Sequence, residues 1–343
     1  LLKDKLVILM KKKIGLIAIG FFLTICLTSC SLGKTKVVWT GGFSSDQIFK
    51  MEEDSCMLEE ANILMANYKN QYLKDYGIEL WERSKSTQDY SLEAYIKEVT
   101  LSQLAKMTCM NLLANQQKLT LTEEEKNKIE IASKEYFNSL TKTEVNELNV
   151  SKETVKTLYE KYALATKLYT ELTVGVNEEV SDDDARVMQV MQIVVSTKEK
   201  SDKVTQRLAE SGDFAATANL YNEEQLVEQN VSRQDVPQEV EKVIFMLDNE
   251  QISGSIPAQG KFYFYKIVNK FNKEKTDEHK LDIVEERAKD AFDNVYEKFS
   301  KKIKTEFNSS MWNNVRVDFT NNVKTDSFFT IFDKHLGELR KSR

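Results

Sequence analysis

An α+β fold is predicted from three observations. Apolar residues recur at helical spacing over long stretches on both sides of residues 183–270. That segment alone mixes strand-like and helical patterns. Only two prolines, Pro237 and Pro257, and eleven glycines occur in 343 residues. Long flexible linkers are therefore not expected, and the parts should abut along helices. The length also exceeds the usual single core, so about two domains are expected.

The mixed segment opens with a strand-like run, Ala185-Arg-Val-Met-Gln-Val-Met-Gln-Ile-Val-Val195. Helical patterns follow over Lys198–Ser211 and Phe214–Tyr221, broken at Gly212, and a third runs from Pro237 to near Leu247. It closes on Gln251-Ile-Ser-Gly-Ser-Ile256 and Gly260-Lys-Phe-Tyr-Phe-Tyr-Lys-Ile-Val268. Strand, helices and two late strands make a module of about 85–90 residues, an ordinary small-domain size.

Before it, a helical face is expected from Ser45 to about Asp75, with Ile48, Met51, Leu58, Ala61, Met65, Tyr68 and Tyr72, and Gly77 ends it. A second helix runs from Ser91 to about Gln117. Thr122-Glu-Glu-Glu125 is a capping box that starts a third, reaching about Leu140, and Ser151 caps a fourth. After the module, Thr276–Phe307 reads as one long helix with Leu281, Phe292 and Phe299 on its apolar stripe. That stripe has no partner in its own segment, so it is expected to return to the N-terminal helices. The tail carries a β-like stretch, Val315–Phe319, and a small amphipathic helix with Phe328, Phe329, Phe332, Leu336 and Leu339. Cys56 and Cys109 fall inside helical patterns, where buried thiols are the common outcome, and pairing stays open.

The beginning of the chain reads as an address. Met10 is followed by three lysines and then by an apolar run, Ile14–Leu27. This is the pattern of an export signal, too short for a comfortable bilayer span. Leu27-Thr-Ser-Cys30 resembles the bacterial lipobox. That resemblance implies cleavage of residues 1–29, with Met10 as the start, lipidation of Cys30 and a tether over 30–43. An uncleaved anchor or an ordinary secretory signal is the alternative, and each places the body outside the cytoplasm. Without its first 29 residues the chain carries 43 basic and 53 acidic side chains, a net charge of −10. Such a body repels phosphate backbones, which excludes nucleic acid as a partner. Membrane association is expected through the lipid.

Chemistry-bearing motifs are few. The two histidines, His279 and His335, lie outside the module. No glycine-rich phosphate loop or metal-ligand spacing occurs, so no metal and no cofactor is expected. Hydrolase, kinase and metalloenzyme chemistry all lack parts.

An ordered succession of short motifs does stand out: Met191-Gln-Ile-Val-Val195; Leu208, Gly212-Asp-Phe214 and Ala218; Tyr221-Asn222; Val240 through Phe245-Met-Leu247; Gln251-Ile-Ser253; and Tyr263-Phe-Tyr-Lys266. Through these residues the module resembles the parvulin-type peptidyl-prolyl isomerase domain. The whole chain resembles the PrsA/SurA-type extracytoplasmic foldases. The resemblance implies an antiparallel sheet with helices over 183–272. It also implies a SurA-like helical chaperone domain over 44–178, completed by 276–343, around the inserted domain.

The same resemblance implies a function, the binding and folding of exported proteins, with unfolded or nascent chains and proline-containing peptides as partners. The family places a histidine in the first strand, another in the last, and a cysteine or aspartate between them. Those positions fall here on Gln192, Tyr263 and Glu224, the candidate catalytic residues. Val240 and Phe245 take the proline-contact positions. Isomerisation needs a twisted amide stabilised against a barrier of about 18–20 kcal/mol, without proton transfer or cofactor. Gln192 and Tyr263 carry suitable donors and acceptors. With the histidines replaced, weakened catalysis and plain holding of peptide are both open, as is a non-catalytic surface lipoprotein that holds one defined partner.

Overall fold

The computed structural model describes residues 36–37, 42–85 and 91–340. The expected export signal, Cys30 and most of the expected tether over 30–43 therefore lie outside the described residues. Two compact units emerge, one made of the chain up to Val174 together with Ala291 onward, the other of Gly175–Asp290. Helices and antiparallel ladders are mixed, as the α+β class requires.

The first unit begins with strands β1 (Lys36–Val37), β2 (Gln47–Met51) and β3 (Asp54–Met57). Helices α1 (Leu58–Tyr76), α2 (Ile78–Lys85), α3 (Leu92–Gln116), α4 (Glu123–Ser139), α5 (Lys142–Leu148) and α6 (Lys152–Thr173) follow. Their starts are local decisions. Ser91, Thr122, Thr141 and Ser151 each accept a hydrogen bond from the backbone N–H three residues on. Gly77, at φ 78°, ends α1 in a conformation that favours glycine.

One expected helix gives way to strands. Residues 47–57 form a hairpin, not the first turns of α1, so Cys56 sits on β3 instead of a helix. Glu52 makes the turn in the left-handed region at φ 51°. Ile48 and Phe49 are both fully buried, which a short strand covered on two faces explains and a single helical stripe does not. An apolar run this short does not separate helix from strand by periodicity.

The helix Lys273–Ser300 starts within the second unit, enters the first at Ala291, and ends seven residues before the expected Phe307. Lys304–Phe307 forms instead a strand that pairs antiparallel with β2 and parallel with β1. The sequence-distant hairpin supplies its ladder, and β pairing outweighs local helical spacing. From Ala291 onward the helix packs on the N-terminal helices, with the Phe292 ring 5.1 Å from that of Tyr169.

Val315–Phe319 forms no ladder. Lys97 Nζ bonds the carbonyls of Trp312 and Val315, Lys69 Nζ bonds that of Phe319, and Glu93 accepts from Val317 N–H. Helix side chains thus satisfy backbone groups that a strand partner would otherwise serve. The tail then forms the helix Phe328–Leu336, whose aromatic face enters the core against Tyr159 and Tyr162, and a 3-10 turn, Gly337–Arg340, follows it.

The second unit holds β4 (Met188–Val195), α7 (Lys198–Ser211), α8 (Phe214–Tyr221), β5 (Glu228–Val231), α9 (Gln238–Ile244), β6 (Ile256–Ala258) and β7 (Lys261–Asn269). Its sheet runs β5-β4-β7-β6, antiparallel throughout. β4 therefore lies inside the sheet, and its residues alternate between two cores. Met188 and Val190 join Val240, Ile244, Tyr265 and Ile267 on one face. Ile193 and Val195 join Val204, Phe214, Ala218 and Phe264 on the other. Gly212 closes α7 at φ 64°, and Asp213 caps α8 by accepting from Ala216 N–H. Gly212-Asp-Phe214 is thus a helix stop, a helix start and a core anchor in three consecutive residues.

Candidate functional site

Gln192 lies near the middle of β4, 7% exposed, directly across the ladder from Tyr265. Residues opposite one another on a sheet share a face, so the two side chains meet. The Tyr265 hydroxyl donates to Gln192 Oε1 at 3.2 Å. Gln229 Nε2, from β5, donates to the same oxygen at 2.8 Å. Gln192 Nε2 donates to the carbonyl of Leu226 at 3.0 Å. A carbonyl only accepts, so the Leu226 contact fixes which end of the amide carries nitrogen. Burial pushes the Tyr265 phenol well above its ordinary range, with Tyr263 and Glu224 adding to the effect, so the hydroxyl keeps its proton.

Asn222 builds the loop that faces this centre. Its Oδ1 accepts from Val194 N–H at 2.9 Å, and its Nδ2 donates to the carbonyls of Glu224 and Leu226. Glu223 N–H bonds Val194 O, and the Glu223 carboxylate takes Ser196 N–H together with Lys200. The Tyr221-Asn222 motif is therefore a clasp that stitches residues 222–226 onto β4. A second clasp acts on β7: Ser253 N–H bonds Tyr265 O at 2.8 Å, and Tyr265 N–H bonds Ser253 Oγ at 2.9 Å. This gives Gln251-Ile-Ser253 its place in the pattern.

The other expected site residues fall around this centre. Tyr263 stands opposite Val194, half-buried, and its hydroxyl has no hydrogen-bond partner among the described residues. Glu224 is exposed and paired with Lys261 at 2.7 Å, which raises the lysine's pKa. Val240 is fully buried in the core beneath the Gln192 face. Phe245 is 5% exposed, with the guanidinium carbons of Arg186 and Arg233 at 5.0 and 4.7 Å from its ring centroid. Arg186 also bonds the Phe245 carbonyl, and Arg233 is held by Asp183 and Glu241. The structure thus joins Gln192 to Tyr265 and Gln229, two residues that sequence reasoning missed. Period-2 alternation along β7 places Tyr263 and Tyr265 on one face; only the register selects between them.

His279 Nδ1 donates to the Ala185 carbonyl, and His335 pairs with Glu135, so neither histidine belongs to the centre. Among the described residues no His/Cys/Asp/Glu group is arranged to hold a metal ion, and no helix is long and apolar enough to cross a membrane.

Comparison with known proteins places this geometry. The family model of the PPIC-type PPIase domain matches residues 177–280. A search of curated proteins finds no match. Among solved structures, the chain is similar to the peptidylprolyl isomerase PrsA of Bacillus cereus, at 15% identity and TM-score 0.36, over 87% of this chain and all of that one. It is also similar to the foldase protein PrsA of Streptococcus pneumoniae, at 17% identity and TM-score 0.27, over 84% of this chain and 99% of that one. A third likeness is to the SurA-like chaperones PEB4 and Cj1289 of Campylobacter jejuni, at 12% identity and TM-score 0.26, over 76% and 98%. The assignment rests on the family model: residues 177–280, which carry the Gln192 centre, belong to the PPIC-type, or parvulin-type, peptidyl-prolyl isomerase domain family.

Proposed function

We propose that this chain is an extracytoplasmic protein-folding factor, anchored to the membrane through lipid on Cys30, that binds unfolded exported chains and isomerises their X–Pro bonds slowly. The observation that carries the reading is the buried Gln192–Tyr265 pair, joined by the half-buried Gln229, inside a PPIC-type domain. The reaction has no covalent step. Its barrier falls when polar groups meet the twisted amide and an apolar surface holds the proline ring. Gln192 and Tyr263 provide the polar groups, Glu224, paired with Lys261, the local negative charge, and Phe245 the apolar surface, backed by the fully buried Val240 of the same core cluster. Residues 44–178 together with 276–343 serve as the chaperone part, and 183–272 as the isomerase part. Tethering raises the effective concentration of the protein at the membrane face, where exported chains emerge.

A protease-coupled proline-peptide assay on residues 30–343, repeated with several residues before the proline, tests the enzyme half. A rate above background is expected. Aggregation of an unfolded client, followed by light scattering, tests the chaperone half, and suppression is expected. A second reading, holding without turnover or holding one defined partner, is favoured by the Arg186 and Arg233 cover over Phe245. A background rate with intact client binding would establish it, and a single stoichiometric partner in a pull-down would select the lipoprotein form.

A further inference from the structure

The hydrogen-bond ledger of Gln192 is nearly complete, and the gap in it is informative. A carboxamide has two acceptor sites on Oε1 and two hydrogens on Nε2. Gln229 and Tyr265 take both acceptor sites. Leu226 O takes one hydrogen. One Nε2 hydrogen remains uncommitted among the described residues. Leu226 is itself held by Asn222, so the acceptor that orients the amide is fixed in turn. The Tyr265 hydroxyl, which donates to Gln192, has no hydrogen left to offer a ligand.

We infer that the Gln192 amide presents a single N–H donor to the bound prolyl peptide, and that Tyr265 and Gln229 act as positioning residues that stop this amide from turning over. The inference rests on the isomerase reading above and deepens it. Twisting an X–Pro bond ends the conjugation of the prolyl nitrogen and gives it a lone pair, so the nitrogen becomes an acceptor only along the reaction path. A donor held in place for that moment stabilises the transition state without stabilising the planar ground state. If the amide flipped, an acceptor would face the same lone pair and raise the barrier. Locking the orientation with three partners therefore matters more here than the identity of the donor.

The test uses residues 30–343 and a proline tetrapeptide series. Gln192→Met removes the donor at similar volume, and kcat/KM is expected to fall at least about tenfold with peptide Kd unchanged. Tyr265→Phe and Gln229→Leu each leave the donor but remove one of the three partners that hold the amide. A smaller fall carried by kcat, with KM unchanged, is expected. Because a core variant can fail to fold, the wild-type protein is also read directly. In a spectrum of 15N-labelled side-chain amides, one of the two Gln192 protons should shift on saturation with peptide.

Activity unchanged in Gln192→Met, or both Gln192 protons unmoved by bound peptide, would overturn the inference and leave the isomerase reading standing. A wild-type rate at background would overturn both.

Discussion

The Tyr159 ring lies flat against that of Phe328, with centroids 4.4 Å apart and planes 10° from parallel, and its hydroxyl donates to the Phe328 carbonyl at 2.8 Å. One side chain of α6 thus holds both the ring and the backbone of a residue 169 positions later. Both are fully buried. Phe328→Ala should destabilise the helical unit by about 3–5 kcal/mol through lost burial and the cavity left behind. Urea denaturation followed by far-ultraviolet circular dichroism checks this; a loss below about 1 kcal/mol would mean the tail packs only loosely.

Glu144 ties the same tail by charge. Its carboxylate, 4% exposed, accepts from Thr141 N–H at 2.7 Å and from Lys324 and Thr325 N–H at 2.9 Å each. Burial alone would raise its pKa, but these bonds together outweigh burial and hold it below the ordinary 4.5. A depressed folded-state pKa contributes stability that is present above the unfolded value and is lost as pH falls through the folded one. The stability difference between wild type and Glu144→Gln should therefore be widest near neutral pH and narrow as pH drops below 4.5. Paired denaturation curves from pH 7 to about pH 3 measure it; a constant difference would remove the charge from the explanation.

Cys56 is fully buried on β3, and burial, with Glu60 adding repulsion, pushes its thiol well above the ordinary value. The nucleophile in thiol chemistry is the thiolate. Labelling of Cys56 by an aromatic disulfide reagent in native buffer at pH 8 should be far slower than in denaturant, with its rate set by opening of the hairpin. A peptide map after labelling identifies the site, and equal rates in both conditions would contradict the burial.

Asn222 offers a test of the clasp. Asn222→Ala removes the acceptor for Val194 N–H and two donors to the loop carbonyls. Hydrogen exchange of Val194 and of residues 223–227 should speed by at least about tenfold, while the β4–β7 amides further down the ladder keep their protection. Exchange that accelerates across the whole sheet would show a folding role instead.

Much of the architecture was already written in local chemistry. Thr122 and Ser151 announce helix starts because a hydroxyl three residues before a free N–H is a short-range arrangement, and Gly77 and Gly212 announce stops because their backbone angles are. The ordered motifs from Met191 to Lys266 outlined the PPIC-type segment for the same reason: each is a cap, a clasp or a core anchor. What tertiary structure decided is every choice that depends on a distant partner. Residues 47–57 and 304–307 become strands because they find each other across about 250 positions, and no periodicity within either reveals it. Tyr265, not Tyr263, meets Gln192 for the same reason: alternation assigns both tyrosines to one face, and only the register of two strands some 70 residues apart determines which hydroxyl reaches the amide.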